Sequence, residues 1–151
     1  MKKTAEDIAL LAPVPLDCLK SGATMKGRVA FGSRAWELFL KLEKLRGTDD
    51  VDVYIYASQA GGLHDAEVSW HARYVGFVPS ESGLHPNPEH RPEATLTDAA
   101  VFALFWEVED LKPLEPPIWI GTLSGFKKDS KKKKEYGHRF PPRGPVLINH
   151  P

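Results

Sequence analysis

Alternation of apolar and polar residues every second position constrains this chain more than any other feature. In Val51 to Ala57 (VDVYIYA), Val51, Val53, Ile55 and Ala57 fall on one side and Asp52, Tyr54 and Tyr56 on the other. A two-residue period belongs to a half-buried strand and fits no helix. A longer stretch, Glu67 to Val78 (EVSWHARYVGFV), places Val68, Trp70, Ala72, Tyr74, Gly76 and Val78 on one face. Ser69, His71, Arg73, Val75 and Phe77 take the other face, and Gly76 marks a bend. A strand of that length suits a curved sheet.

Further strands are expected at Gly27 to Phe31, Ile118 to Leu123 and Gly144 to Ile148. Residues 101 to 108 (VFALFWEV) read as another, although TDAAVFALFWEVEDL can also be written as a capped helix. Ser33 is placed to cap a helix running to about Arg46, with Gly47 as its stop. Ala35, Leu38, Phe39, Leu42 and Leu45 form its apolar stripe, with Trp36 and Leu40 on the flank. The opening DIALLAPVPLDCLKSGA reads as an apolar segment broken at Pro13 and Pro15, then one helical turn from Leu16 to Lys20 ended by Gly22. The expected architecture is α+β: a curved or barrel-like, mostly antiparallel sheet with one main amphipathic helix.

The length of 151 residues suits a single domain spanning 1–151, and 13 prolines with 12 glycines argue against a helix bundle. Residues 79–98 and 124–137, rich in Pro or in Lys, Gly and Ser, are expected to be mobile surface loops. No stretch has the apolar length of a membrane span. The one cysteine, Cys18, lies in an apolar segment and reads as a packing residue, and a reducing cytoplasm is the expected compartment.

A net charge of zero conceals a split, because residues 127 to 139 (KKDSKKKKEYGHR) hold seven Lys or Arg against two acids. Such a segment suits contact with a polyanion on an otherwise acidic body, and it suits a solvated loop equally. Six histidines invite a metal, but their positions lack the i, i+4 helical spacing of a zinc motif, and His85 and His90 sit in a Pro-rich stretch. No metal and no cofactor are expected. Tyr54 and Tyr56 share the polar strand face and are candidates for stacking on a base, unless that face is covered.

The order of a strand, a GSRAWE turn into a helix, VDVYIYAS, a long strand and then FWEVEDLKPLEPPI resembles the PUA-like superfamily, particularly its ASCH branch, over residues 27 to 123. Gly32, Arg34 and Glu37 match the branch's Gly-x-Lys-x-x-Glu element, with arginine where the family has lysine. A guanidinium does not lose its proton, so Arg34 can orient a phosphate or carbonyl but cannot serve as a general base. The resemblance implies a cleft beside the helix where relatives bind RNA or modified nucleobases, some acting as hydrolases or ribonucleases. It implies Arg34, Glu37, Tyr56, Ser58 and Gln59 at the ligand. Lys127, Lys128, Lys131, Lys132, Lys133, Lys134, Arg139 and Arg143 are the expected phosphate contacts. A nucleic-acid-binding module, for RNA before DNA, is the leading expectation. A hydrolase or ribonuclease with Glu37 or Glu107 as general base is the alternative.

Overall fold

The computed structural model describes residues 3–58, 65–82, 84–92, 102–126 and 142–151. Six strands and two helices follow in the order β1 (Thr4–Pro15), α1 (Leu16–Gly22), β2 (Val29–Ser33), α2 (Trp36–Arg46), β3 (Asp50–Ser58), β4 (Glu67–Pro79), β5 (Leu104–Trp119) and β6 (Val146–Asn149). They form one sheet in the order β2-β5-β4-β3-β1-β6. Every pairing is antiparallel except β1 with β3. The fold is thus α+β with a mostly antiparallel six-stranded sheet, and among the described residues no ladder joins the two edges, β2 and β6.

The alternation in β3 is realised as the sequence predicts. Val51, Val53, Ile55 and Ala57 enter the main core, while Tyr54 and Tyr56 enter a second cluster on the opposite face with Ala9, Leu11, Val68, Ile120, Leu123 and Ile148. In β4 the expected face holds only in the middle, where Trp70, Ala72 and Tyr74 pack on the main core. Register shifts at Val68/Trp70 and Tyr74/Gly76 turn the ends over, so Val68 joins the second cluster and Phe77 packs on the main one. An extra residue in one strand reverses the alternation beyond it and bends the strand. Gly76, at φ 146°, occupies a backbone conformation that a side chain disfavours.

The opening segment departs from expectation. Residues 4–15 form an interior strand, parallel to β3 and antiparallel to β6, instead of a broken apolar stretch. Pro13 and Pro15 have the same parity, so the N–H groups they lack belong to one side of the strand, and β6 pairing ends before them at Leu11. Other boundaries shift as well. Ser33 closes β2 instead of capping a helix, and its Oγ accepts the Ala35 N–H at 3.0 Å. The segment at 101–108 is strand from Leu104 onward, and it continues to Trp119 as one strand, with a 3-10 turn at Ile120–Thr122 where the next strand is expected.

Helix α2 lays Phe39 and Leu42 on the sheet and leaves Trp36 and Leu40 exposed, the division its sequence stripe predicts. Phe39 stacks between Tyr74 and Trp106, with ring centroids 5.9 and 6.1 Å away. The Tyr74 hydroxyl donates to Glu43 at 2.8 Å and ties the helix to β4. Main-core side chains come from all six strands and both helices. Residues of β1 (Pro13 to Pro15) and β2 (Phe31, Gly32) line one small cavity although three strands separate them in the sheet. The sheet therefore coils strongly while remaining open. No described helix is long and apolar enough to cross a membrane.

Candidate nucleic-acid interface

Coiling brings the chain leaving one sheet edge close to the chain entering the other. Ser33, Arg34 and Ala35, between β2 and α2, face Arg143, Gly144 and Pro145, which lead into β6. With Phe102 they line an open cleft of 410 Å³. Both arginines are exposed, so the cleft joins two cationic side chains from distant parts of the chain to an apolar and aromatic lining. Phe102 is pressed against Gly32, where a β-carbon would collide with its ring. The same ring also lines the small cavity of Pro13 to Pro15, Cys18 and Trp106.

The remaining expected ligand residues are dispersed. Glu37 is exposed on the first turn of α2 and does not line the cleft. Tyr56 is buried, 0% exposed, and its hydroxyl donates to the Pro142 carbonyl, so its ring belongs to the second cluster and offers no face to a base. Its contribution is to hold Pro142, and with it the approach to Arg143. Ser58 is partly exposed at the end of β3, paired with Pro15 of β1. Gln59 lies outside the described residues, as do Lys127, Lys128, Lys131, Lys132, Lys133, Lys134 and Arg139. The residues flanking the lysine segment are placed: Phe126 N–H donates to Leu147 at 3.0 Å, and Pro142 receives Tyr56. Arg73, the one arginine on β4, is committed to Asp50, Glu109 and Asp110 at 2.7, 3.3 and 2.5 Å.

Glu107, the other proposed general base, is 4% exposed on β5. Its Oε2 meets His90 Nδ1 at 2.8 Å and His85 Nε2 at 3.5 Å, and Arg28 stands 3.7 Å from Oε1. Burial, the largest influence, holds the His85 pKa below the ordinary imidazole value despite this carboxylate. A third polar group centres on Asp52, whose two oxygens take His71 Nε2 at 2.9 Å and His150 Nε2 at 2.6 Å. These hydrogen bonds, first that of His71, hold the Asp52 carboxyl below its ordinary pKa. Burial, the largest single influence, works to lower the His150 pKa, but the hydrogen bond and charge of Asp52 together with the Pro151 carbonyl outweigh it, and the value is raised.

Sequence reading finds Arg34 and Arg143 separately but not their convergence, nor Phe102. The two arginines lie on separate segments, so no local pattern in the sequence signals the convergence. The chain matches no model of a known protein family, and a search of curated proteins returns no match.

Proposed function

We propose that this protein is a nucleic-acid-binding module of the PUA-like kind, its coiled sheet an unclosed version of the barrel such domains form, and that it takes single-stranded RNA or a modified nucleobase at the Arg34–Arg143 cleft. The observation carrying this reading is the convergence of two exposed arginines on a 410 Å³ cleft that includes an aromatic ring. Guanidinium groups bind phosphate oxygens in bidentate fashion, and an aromatic or apolar wall receives a base, which together are what a single-stranded nucleotide presents. The lysine-rich sequence from 127 to 134 enters the chain between two residues anchored beside this region, Phe126 and Pro142. Lys127, Lys128, Lys131 to Lys134 and Arg139 then supply sequence-independent phosphate contacts.

A hydrolase or ribonuclease has less support. Glu107 is sunk among two histidines and an arginine, and Glu37 lies outside the cleft lining. A general base must reach the proton it removes.

Fluorescence anisotropy with a labelled single-stranded RNA tests the proposal. Arg34→Ala and Arg143→Ala should each weaken binding by roughly three- to tenfold, the loss of about 1 kcal/mol expected for a charged contact at a partly solvated site. Lys41→Ala, on the exposed face of α2, should leave it unchanged. The RNA should be recovered intact. Equal affinity in all four proteins, or cleaved RNA, contradicts the proposal.

A further inference from the structure

The segment from Leu84 to Pro92 contains three prolines, Pro86, Pro88 and Pro92, and it leaves Leu84 67% exposed. It contributes no residue to either apolar cluster. What fastens it to the body is polar and aromatic: Arg91 Nη1 donates to the Ala30 carbonyl at 2.7 Å, Arg91 and His85 pack on the Phe105 ring, and His85 and His90 turn onto Glu107. Ligand atoms of His85, His90 and Glu107 all lie within 4.8 Å of one another.

Hydrogen bonding accounts for only part of this cluster. His90 Nδ1 reaches Glu107 Oε2 at 2.8 Å, a good bond. The His85 side chain is 1% exposed, yet its Nε2, aimed at the same oxygen from 3.5 Å, has no hydrogen-bond partner among the described residues. Leaving a buried nitrogen unsatisfied is unfavourable, so the geometry asks for something between these three side chains.

We propose that His85, His90 and Glu107 form a binding site for a divalent transition-metal ion of the zinc class, pinning residues 85–90 to β5. Two imidazoles and one carboxylate suit zinc and its neighbours, whereas calcium and magnesium demand oxygen ligands. Four-coordinate zinc with bonds near 2.0 to 2.1 Å holds its ligand atoms about 3.3 Å apart. The two separations from Glu107 Oε2, 2.8 and 3.5 Å, bracket that spacing, and the two imidazole nitrogens lie within 4.8 Å of each other, so the ion draws the three ligands to a common distance. Arg28 stands by Oε1, leaving Oε2 as the single carboxylate donor. Water completes the shell at the fourth position, as at other zinc sites with three protein ligands.

Binding requires a proton rearrangement. Asn87 N–H donates to His85 Nδ1 at 2.7 Å, so the neutral ring carries its proton on Nε2. An ion at Nε2 takes the other tautomer, with the proton on Nδ1, and the Asn87 hydrogen bond opens. Likewise the His90 proton passes from Nδ1 to the partly exposed Nε2. Metal uptake is therefore coupled to a local shift of residues 85–87.

The tag-free full chain, stripped with a chelator, should bind one Zn2+ in isothermal titration. Co2+ should give the visible absorption of a four- or five-coordinate site with nitrogen ligands. His90→Ala, at a partly exposed position, should weaken Zn2+ binding by at least about tenfold, and His85→Gln likewise. His71→Ala, in the separate Asp52 group, should not. The Asn87 amide resonance should move on Zn2+ addition in the parent chain and stay in place in His90→Ala. Circular dichroism of each variant confirms that it is folded, and His90→Ala decides should His85→Gln fail to fold. Absence of Zn2+ binding, or binding equally tight in folded His90→Ala, overturns the proposal and leaves a hydrogen-bonded cluster only.

Discussion

Gly32 shows how one missing side chain shapes the proposed site. A methyl group there collides with Phe102, whose ring lines both the arginine cleft and the cavity beside Cys18. Gly32→Ala should therefore displace Phe102 and weaken RNA binding while both arginines remain, and overpacking should cost stability by about 1 to 3 kcal/mol. Anisotropy and urea unfolding on the same sample check both parts. The Asp52–His150 pair gives a second prediction at this scale. Asp52 is lowered, so its contribution is present above the unfolded carboxylate pKa and lost as pH falls through the folded one. His150 is raised, so its contribution is present below the unfolded imidazole pKa and lost as pH rises through the folded one. The pair then stabilises most between about pH 4 and pH 6.5. Relative to His150→Gln, the parent chain should lose about 1 kcal/mol of its advantage between pH 5.5 and pH 8, seen in denaturant midpoints at the two pH values.

Among the elements, α2 and β4 depend on each other. Phe39 sits between Tyr74 and Trp106 with no exposure, and Phe39→Ala should destabilise the fold by roughly 3 to 5 kcal/mol, measured by urea unfolding. The Tyr74 hydroxyl, buried against the Glu43 carboxylate, is pushed well above the ordinary phenol pKa and stays protonated as a donor. How far each element can be read from the sequence follows from its local physics. Alternation over 51–57 is legible because β3 runs without a register shift against β4 and carries the same parity throughout. Alternation in β4 fails at both ends because its bulges against β5 are set by the partner strand, which no local pattern records. The prolines of β1 conceal an interior strand because only the end point of β6 makes them tolerable. The α2 stripe is legible since helical periodicity is local, whereas the Ser33 cap is not realised: β2 pairing with β5 extends through Ser33↔Leu104 and takes the residue into the sheet.

For the whole molecule, the decisive feature is the coiling that brings both sheet edges to one cleft. Single residues signal Arg34 and Arg143 as cationic, but their meeting depends on the strand order β2-β5-β4-β3-β1-β6 and its bend, so it is absent from any one segment. Tyr56 illustrates the reverse: its strand face is read correctly, and on that face side chains of β1, β4, β6 and residues 120–123 enclose it. The central claim is that this cleft, with the basic sequence joined beside it, binds the backbone of single-stranded RNA. Its most direct test is the slope of log affinity against log salt for one labelled RNA, measured on the parent chain, the Arg34→Ala/Arg143→Ala variant and a variant with Lys131 to Lys134 replaced by alanine. Removing one cation that neutralises a phosphate should flatten the slope by about 0.7, so the double arginine variant should be flatter by about 1.4 and the lysine variant by up to about 2.8. Affinity should fall in both, to a similar extent across RNA sequences for the lysine variant. Slopes and affinities unchanged from the parent in both variants would contradict the claim.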